Sequence, residues 1–364
     1  MMKGLIAALG LVSLGFGCST PRAYTSRPGA YDRTPEHWQP LLVEARDAVE
    51  EQDLDRAYEI LTELAAEDPR IIPVRIFLQE TELALGRAGR MRVESPEQAI
   101  PWLSSIYLDA AEANPSAEAY VLAARLQGDA RMALQLVDQA ERLDPRCVWV
   151  PYARAWWSFV DYRFTPAEDA VRAAFKLDPG HLPTMRLQAI VLTAAGETSS
   201  AIDVLEVWRK RAEHNPLISP EKRGAALLDL ASLEVLAGRP REALRHLEKA
   251  DPRVLTDLGR VEGVRAAAHE ARDEFDLAFE AVRRASLEDP EDPLPIVQAA
   301  MIYARMGDEE AELATWRELL EHLEASDGPA FQALLFRLQA ITRLQRAELA
   351  AASDPAAASD DLRP

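Results

Sequence analysis

The chain has 364 residues with 60 acidic and 41 basic side chains, a formal charge of −19, and 48% hydrophobic residues. This balance excludes a disordered chain, and an acidic surface disfavours nucleic acid and anionic lipid headgroups as partners. Ala, Leu, Glu and Arg dominate, and no long run alternates apolar and polar residues. We therefore expect an all-α fold.

The first segment, residues 1–17, has the pattern of a signal peptide. Lys3 precedes an apolar run from Leu5 to Phe16, and small residues lead to Cys18. That run is too short for a permanent membrane span. The order resembles a bacterial lipoprotein signal, which implies that Cys18 becomes the lipidated first residue of the mature chain. That family usually has Leu three residues before the cysteine, where this chain has Gly15, so ordinary secretion stays an alternative.

The resemblance implies a lipid-anchored protein of the bacterial cell envelope, whose only contact with the membrane is its N-terminal lipid. Ser19 after the cysteine favours the outer membrane, on the periplasmic side, by the enterobacterial sorting rule. A secreted, soluble periplasmic protein is the alternative. Residues 18–36 are rich in Pro and hydroxyl residues, so we expect a flexible tether between the anchor and a folded body.

An Asp-Pro or Asn-Pro pair returns along the rest of the chain. After the second pair, the intervals between the prolines are 30, 34, 37, 36 and 38 residues. Proline cannot continue a helix, and Asp or Asn before it favours a turn. A near-constant period of this length is typical of a helical solenoid. The pairs are Asp68-Pro69, Asn114-Pro115, Asp144-Pro145, Asp178-Pro179, Asn215-Pro216, Asp251-Pro252 and Asp289-Pro290.

A stripe of small and apolar residues precedes most of these prolines. Its first members are Ala57, Ala133, Ala167, Ala243 and Ala278, each followed by apolar residues at helical spacing. We expect these alanines to let two helices approach closely. Turn glycines, Gly128, Gly196, Gly238 and Gly307, separate the two helices of a unit.

Residues 53–69 and 237–250 in particular resemble the second helix of the tetratricopeptide repeat family. The resemblance implies an α-solenoid of antiparallel helix pairs, a superhelix of about seven or eight units over residues 37–327. An extra loop interrupts it near residues 86–96. We expect a capping helix over 328–351, with Phe331, Leu335, Leu338, Ile341 and Leu344 on its apolar face, and a disordered tail over 352–364.

No pattern in the chain predicts catalysis or a cofactor. The sequence has no nucleophile elbow, phosphate-binding glycine loop, dinucleotide motif or His-Glu-x-x-His motif. The six histidines are dispersed, and no spacing of Cys or His predicts a metal site. Cys147 is expected to be a buried small hydrophobe. We therefore expect neither an enzyme, nor a cofactor, nor a metal.

The densest aromatic cluster gives the predicted partner site. Trp149, Tyr152, Trp156 and Phe159 are spaced by three, four and three residues, so they share one stripe of a helix. By the family resemblance this stripe faces a concave groove. The same resemblance puts Arg125 and Arg186 beside the rings, where a partner could be clamped. The alternative is that the stripe is the core face of the helix.

These observations favour an envelope scaffold or adaptor that binds a protein or peptide in its groove, for the assembly or retention of a complex. The alternative is a lipoprotein that binds a glycan or other solute by stacking it on the aromatic stripe.

Overall fold

The computed structural model describes residues 34–90, 95–213, 218, 220–250, 255, 257–325, 336 and 338–347. The signal peptide, Cys18, almost all of the tether and the C-terminal tail lie outside these residues. Within them the chain is helical without strands. No helix among them is both long enough and apolar enough to span a membrane.

By its internal contacts the chain divides into two compact units, residues 1–223 and 224–364. The first unit contains α1 Gln39–Glu50, α2 Leu54–Glu67, α3 Ile72–Arg87, α4 Ala99–Ala113, α5 Ala117–Arg125, α6 Ala130–Leu143, α7 Trp149–Val160, α8 Phe164–Leu177, α9 Leu182–Ala194 and α10 Thr198–Glu213. The boundary falls in α11 Pro220–Leu236. The second unit continues with α12 Pro240–Lys249, α13 Leu258–Glu270, α14 Phe275–Glu288, α15 Leu294–Met306 and α16 Glu309–Ala325.

Consecutive helices form pairs, and the described residues contain eight of them, from α1 with α2 to α15 with α16. First helices of successive pairs also pack against each other, as α3 does with α5, α5 with α7, α7 with α9 and α13 with α15. This arrangement confirms the predicted all-α solenoid. The extra residues between α3 and α4 coincide with the predicted loop, although 91–94 lie outside the described residues.

The Asp-Pro pairs act as the sequence predicts, and the structure shows the mechanism. In four of them the Asp carboxylate accepts a hydrogen bond from the backbone N–H two residues later, at 2.7–3.1 Å. That bond forms an Asx-turn, and the following proline cannot extend the helix that has just ended. The four aspartates are Asp68, Asp144, Asp178 and Asp289.

The turns inside the pairs share a second device. In seven of them a backbone N–H bonds to a carbonyl five residues earlier, at 2.8–3.1 Å, which is the Schellman closure of a helix C-terminus. The preceding residue takes a positive φ, and it is Gly89, Gly196, Gly238 or Gly307 in four turns. The other three are Gln52, Tyr162 and Asp273. Gly128, predicted to be an equivalent turn residue, lies in the α5–α6 connection without a positive φ.

The predicted small residues form the close contacts of the core. Ala57, Ala133, Ala167, Ala243 and Ala278 are completely buried, and the apolar residues that follow them are buried too. These alanines sit on second helices, where a larger side chain would separate the packed helices. The interpretation of the small-residue stripe is confirmed.

Part of the predicted capping segment is described and is helical over 338–347. Phe336 and Ala340 are buried in a cluster with Trp316 of α16, and Leu344 packs against it. The predicted apolar face is therefore confirmed at Leu344 and wrong at Leu338 and Ile341, which are exposed. Phe331 and Leu335 lie outside the described residues.

Candidate functional site

The aromatic stripe of α7 divides into two halves with different surroundings. Trp149 and Tyr152, in the N-terminal half, are buried in the core of the first unit. Their ring centroids are 5.3 Å apart in an edge-to-face arrangement. The structure corrects the expectation of an open groove position for these two rings, because α7 packs against α5, α6, α8 and α9. Partner binding by the whole stripe stays a prediction.

His181 is the residue that closes over this buried half. Its ring centroid is 4.5 Å from that of Trp149 and 5.6 Å from that of Tyr152. Its Nδ1 accepts a hydrogen bond from the Thr184 backbone N–H at 3.3 Å and caps α9. Burial lowers the pKa of His181 to about 3, so the ring is neutral at ordinary pH. Its place just before a helix with proline in its first turn was the signal that sequence reasoning missed.

The C-terminal half of the stripe packs against the edge of the core and is only partly covered. Trp156 and Phe159 are half-buried, and the Phe159 ring lies 5.7 Å from that of Phe164 at the start of α8. The Phe164 ring lies 6.5 Å from that of Tyr162. Tyr162 is 62% exposed and Phe164 48% exposed. We call Trp156, Phe159, Tyr162 and Phe164 the aromatic patch.

Tyr162 is unusual in its backbone as well as its exposure. It has φ of 58° at the turn position where four other pairs have glycine. A left-handed conformation costs a residue with a side chain about 1–2 kcal/mol relative to a right-handed one. Asp273, in the same position, forms an ion pair with Arg305. Tyr162 instead directs an aromatic ring towards solvent, so neither backbone preference nor burial accounts for its presence.

Each of the two predicted arginines has a partner outside α7. Arg125 forms an ion pair with Glu80 of α3 at 3.5 Å, and both side chains are more than nine-tenths buried. The Arg186 guanidinium lies over the ring of Trp208 in α10, 5.8 Å from its centroid. The ring that Arg186 covers therefore belongs to the second helix of its own pair.

Sequence reasoning also missed a set of largely buried polar side chains at α3 and α4, which no sequence motif predicts. The Tyr107 hydroxyl donates to Glu82 Oε2 at 2.8 Å. Burial raises the pKa of Glu82 and also that of Tyr107, which the neighbouring carboxylate raises further. Arg75 donates to the Pro69 carbonyl at 3.2 Å, and burial lowers its pKa. The Tyr107–Glu82 hydrogen bond thus connects α4 with α3.

Two further features define what the chain can do chemically. Cys147 is completely buried, as predicted, and burial raises its thiol pKa far above the usual value. In the described part of the chain no group of three or more His, Cys, Asp or Glu could hold a metal ion. Burial and the raised pKa together make the Cys147 thiol a poor nucleophile.

The second unit contains an open cleft of about 550 Å³ beside the start of α12. Arg239, Arg241 and Arg272 line it together with Glu242 and Glu274. Arg239 forms an ion pair with Glu234 at 2.6 Å, and Arg272 with Glu274 at 2.7 Å. Two of the three arginines in the cleft are therefore already paired with carboxylates of the second unit, so the cleft does not define a ligand site.

Comparison with known proteins supports the fold. No protein family model matches the sequence, and no curated protein matches it. Among solved structures, the chain is similar to one in the APC/C hetero-tetramer Cut9–Hcn1, with 14% identity and a TM-score of 0.52, over 81% of this chain and 52% of that one. This chain therefore spans about half the length of that relative.

Two smaller bacterial structures are also similar. One is pilF of Pseudomonas aeruginosa, with 14% identity and a TM-score of 0.46, over 61% of this chain and 97% of that one. The other is PilW, a type IV pilus biogenesis factor, with 13% identity and a TM-score of 0.47, over 62% and 96%. At these identities the likeness is one of fold. The molecule is an α-solenoid of tetratricopeptide-type helix pairs.

Proposed function

We propose that the chain is an interaction scaffold that holds a protein or peptide partner at the aromatic patch of the first unit. The observation that carries the proposal is Tyr162, an exposed aromatic residue in a backbone conformation that favours glycine. We expect that removing its ring would cost the fold little, so a contact outside the chain is the best explanation for an aromatic ring at this position. Strained backbone concentrates at functional sites for this reason.

The rest of the patch supports recognition of a macromolecule. The Phe164 ring makes edge-to-face contacts with the rings of Phe159 and Tyr162. Trp156 precedes Phe159 by about one helical turn and extends the same surface. Aromatic residues supply large contact area with few rotamers to immobilise, and they are enriched among the residues that dominate binding energy. A contiguous aromatic surface of this kind is more typical of an interface than of an ordinary solvent-exposed helix.

The test is crosslinking in cells, followed by identification of the captured partner. The variant Tyr162→Gly with Phe164→Ala removes the two exposed rings, and glycine at position 162 also relieves the strain of the positive φ. The matched control, Met132→Ala with Leu143→Ala, removes similarly exposed apolar side chains from α6 of the same unit. We expect the patch variant to lose at least about tenfold of the partner signal and the control to retain it. Equal capture by the two variants would contradict the proposal.

A glycan could in principle stack on the same rings, and this alternative makes a separable prediction. Stacking would change the emission of Trp156 on titration with oligosaccharides, and Phe164→Ala would abolish that change. Because Trp149 and Tyr152 are buried, only part of the original stripe offers ring faces to a sugar. An emission change with oligosaccharides, and none with envelope extract, would favour the glycan.

We further propose that the scaffold is anchored in the bacterial envelope through a lipid on Cys18, with residues 18–36 as the tether. The support is the order of charge, apolar run and cysteine in the sequence. Cys18→Ser should release the protein from membranes and abolish incorporation of labelled fatty acid. Cys147→Ser is the matched control, because that thiol is buried. Unchanged membrane fractionation of Cys18→Ser would refute the anchor without bearing on the aromatic patch.

A further inference from the structure

Helix α4 exposes an apolar face that the neighbouring helices do not cover. Its inner face is formed by Leu103, Tyr107 and Ala111, which are buried. On another face Trp102 is 37% exposed and Ile106 41% exposed, and Ala110 and Ala113 continue the same line in the open. Spacings of four, four and three residues put these side chains on one stripe. We call Trp102, Ile106, Ala110 and Ala113 the α4 stripe.

The charge of α4 distinguishes it from the other second helices. Asp109 and Glu112 are its only charged residues, and the helix has no Lys, Arg or His. Both carboxylates are exposed, and among the described residues neither belongs to an ion pair. In contrast, α8 carries Arg172 paired with Glu168 at 2.7 Å. The α4 stripe thus combines uncovered apolar surface with negative charge that no cation of its own helix balances.

We propose that the α4 stripe is a second docking surface, for an amphipathic helix of a partner protein that carries Lys or Arg along the edge of its apolar face. Asp109 lies in line with Trp102, two helical turns along, and Glu112 flanks Ala113. A basic edge on the partner would therefore meet carboxylates while its apolar residues cover the stripe. Electrostatic complementarity of this kind sets the orientation and the choice of partner.

The shape of the stripe adds a requirement on the partner. It extends from residue 102 to residue 113, about 16 Å along the helix axis, so roughly three turns of a partner helix can lie along it. The large side chains of Trp102 and Ile106 protrude at one end of the stripe, whereas Ala110 and Ala113 leave a shallow depression at the other end. A partner helix with small residues opposite Trp102 and large ones opposite the alanines would pack closely in only one direction.

A second copy of this chain is a poor occupant. In a symmetric dimer the same surface meets itself. Asp109 and Glu112 of one copy would then approach the same carboxylates of the other, with no basic residue on either α4 to balance them. The surface is also separate from the aromatic patch, which lies on α7 and α8, so the two proposals fail independently.

A suitable probe is a labelled synthetic helix of about 18 residues, with Leu along one face and Lys along its flanks. The matched probe has Glu in place of Lys. Binding to the full-length protein is measured by fluorescence anisotropy at physiological salt. We expect the Lys probe to bind at least about tenfold more tightly than the Glu probe.

Two variants then locate the binding site. Trp102→Ser with Ile106→Ser removes the apolar contact, and Asp109→Lys with Glu112→Lys reverses the charge. Each should weaken binding of the Lys probe at least about tenfold. All four side chains are exposed in whole or in part, so the variants should retain the parent's circular dichroism. Met132→Ser with Leu143→Ser, on α6, is the control and should bind as the parent does.

Three results would overturn the proposal. The first is unchanged binding in both α4 variants, or equal loss in the α6 control, because the probe would then bind elsewhere. The second is a concentration-dependent dimer in sedimentation that Trp102→Ser abolishes, because a second copy would then occupy the stripe. The third is a gain of probe binding when Arg22, Arg27 and Arg33 are changed to Ser, because the chain's own N-terminal segment would then be the occupant.

Discussion

The neutral, buried state of His181 predicts how the stability of the first unit depends on pH. The ring lies against Trp149 and Tyr152, and its Nδ1 accepts from the Thr184 backbone. In the unfolded chain the same imidazole has a pKa of about 6.5, whereas burial lowers it to about 3 in the folded state. Between those values the unfolded chain takes up a proton that the folded protein does not. Stability therefore falls as pH falls below about 6.5.

The size of the effect depends little on the exact folded pKa. At pH 5 the unfolded imidazole is about 1.5 pH units below its own pKa, and each unit corresponds to about 1.4 kcal/mol. The folded ring contributes almost no compensating protonation at that pH, because its pKa is lower still. We therefore expect His181 to account for a loss of about 2 kcal/mol in the free energy of unfolding between pH 7.5 and pH 5.

The assay is urea unfolding followed by tryptophan fluorescence at pH 7.5, 6 and 5, for the parent and for His181→Asn. Asn does not titrate in this range and can still accept the capping hydrogen bond. Carboxylates such as Glu82 titrate in both proteins and cancel in the comparison. The parent should lose about 2 kcal/mol more than the variant on acidification. Parallel pH dependence of the two proteins would show that the folded ring can take a proton, and so would refute the burial argument.

Three further predictions concern the turns, the core and the C-terminal segment. Tyr162→Gly should change the free energy of unfolding by less than about 1 kcal/mol, because relief of backbone strain offsets the greater entropy of unfolded glycine; a denaturant titration that shows a larger loss would mean that the ring stabilises the fold. Ala278→Leu should cost about 1–3 kcal/mol by overpacking a completely buried site, whereas Ala113→Leu on the exposed side of α4 should leave the melting temperature nearly unchanged. Glu312→Gln should speed hydrogen exchange over 338–347, since Glu312 accepts two hydrogen bonds from Arg343 at 2.6 and 2.8 Å. Because Arg343 holds the pKa of Glu312 below its usual value, this difference should vanish as pH falls through that pKa, and equal exchange at neutral pH would contradict it.

Local signals in the sequence predict the helix pairs well because each signal acts within a few residues. Proline after aspartate ends a helix through its own backbone geometry, and the Asp68 carboxylate that bonds to Arg70 N–H is only two residues away. The small residues of the second helices are equally informative. A completely buried Ala278 reflects close helix packing that any member of the repeat requires.

The candidate site depends on contacts that no local pattern contains. Trp149 and Trp156 belong to the same stripe of α7, yet only the first is completely buried. The cover includes His181, which is 32 residues away from Trp149 and belongs to the next pair. Similarly, Arg125 of α5 forms an ion pair with Glu80 of α3, which belongs to the preceding helix pair. Helical spacing predicts which side chains share a face, but the partner of that face is decided by tertiary packing.

The same limit explains the register of the C-terminal segment. The predicted apolar face contained Leu338, Ile341 and Leu344, whereas the buried set is Phe336, Ala340 and Leu344. Periodicity alone favoured the first set. The structure selects the second, because Ala340 lets the segment approach Trp316 closely and Arg343 then reaches Glu312. Close packing at Ala340 and the ion pair of Arg343 together outweigh the larger apolar side chains of the other face.

Residues that depart from the repeat pattern are better candidates for binding a partner than residues that every helix pair shares. Where the pairs share a feature, such as a positive φ at the turn or a buried alanine, folding alone accounts for it. Tyr162 keeps the positive φ but has an exposed aromatic side chain where four other turns have glycine, and α4 keeps its buried alanine but exposes Trp102 and Ile106 on another face. Since exposed aromatic and apolar side chains carry a cost in solubility, these two departures support the contacts proposed above. The aromatic patch and the α4 stripe are therefore the two surfaces at which substitutions should change binding while leaving the helix pairs intact.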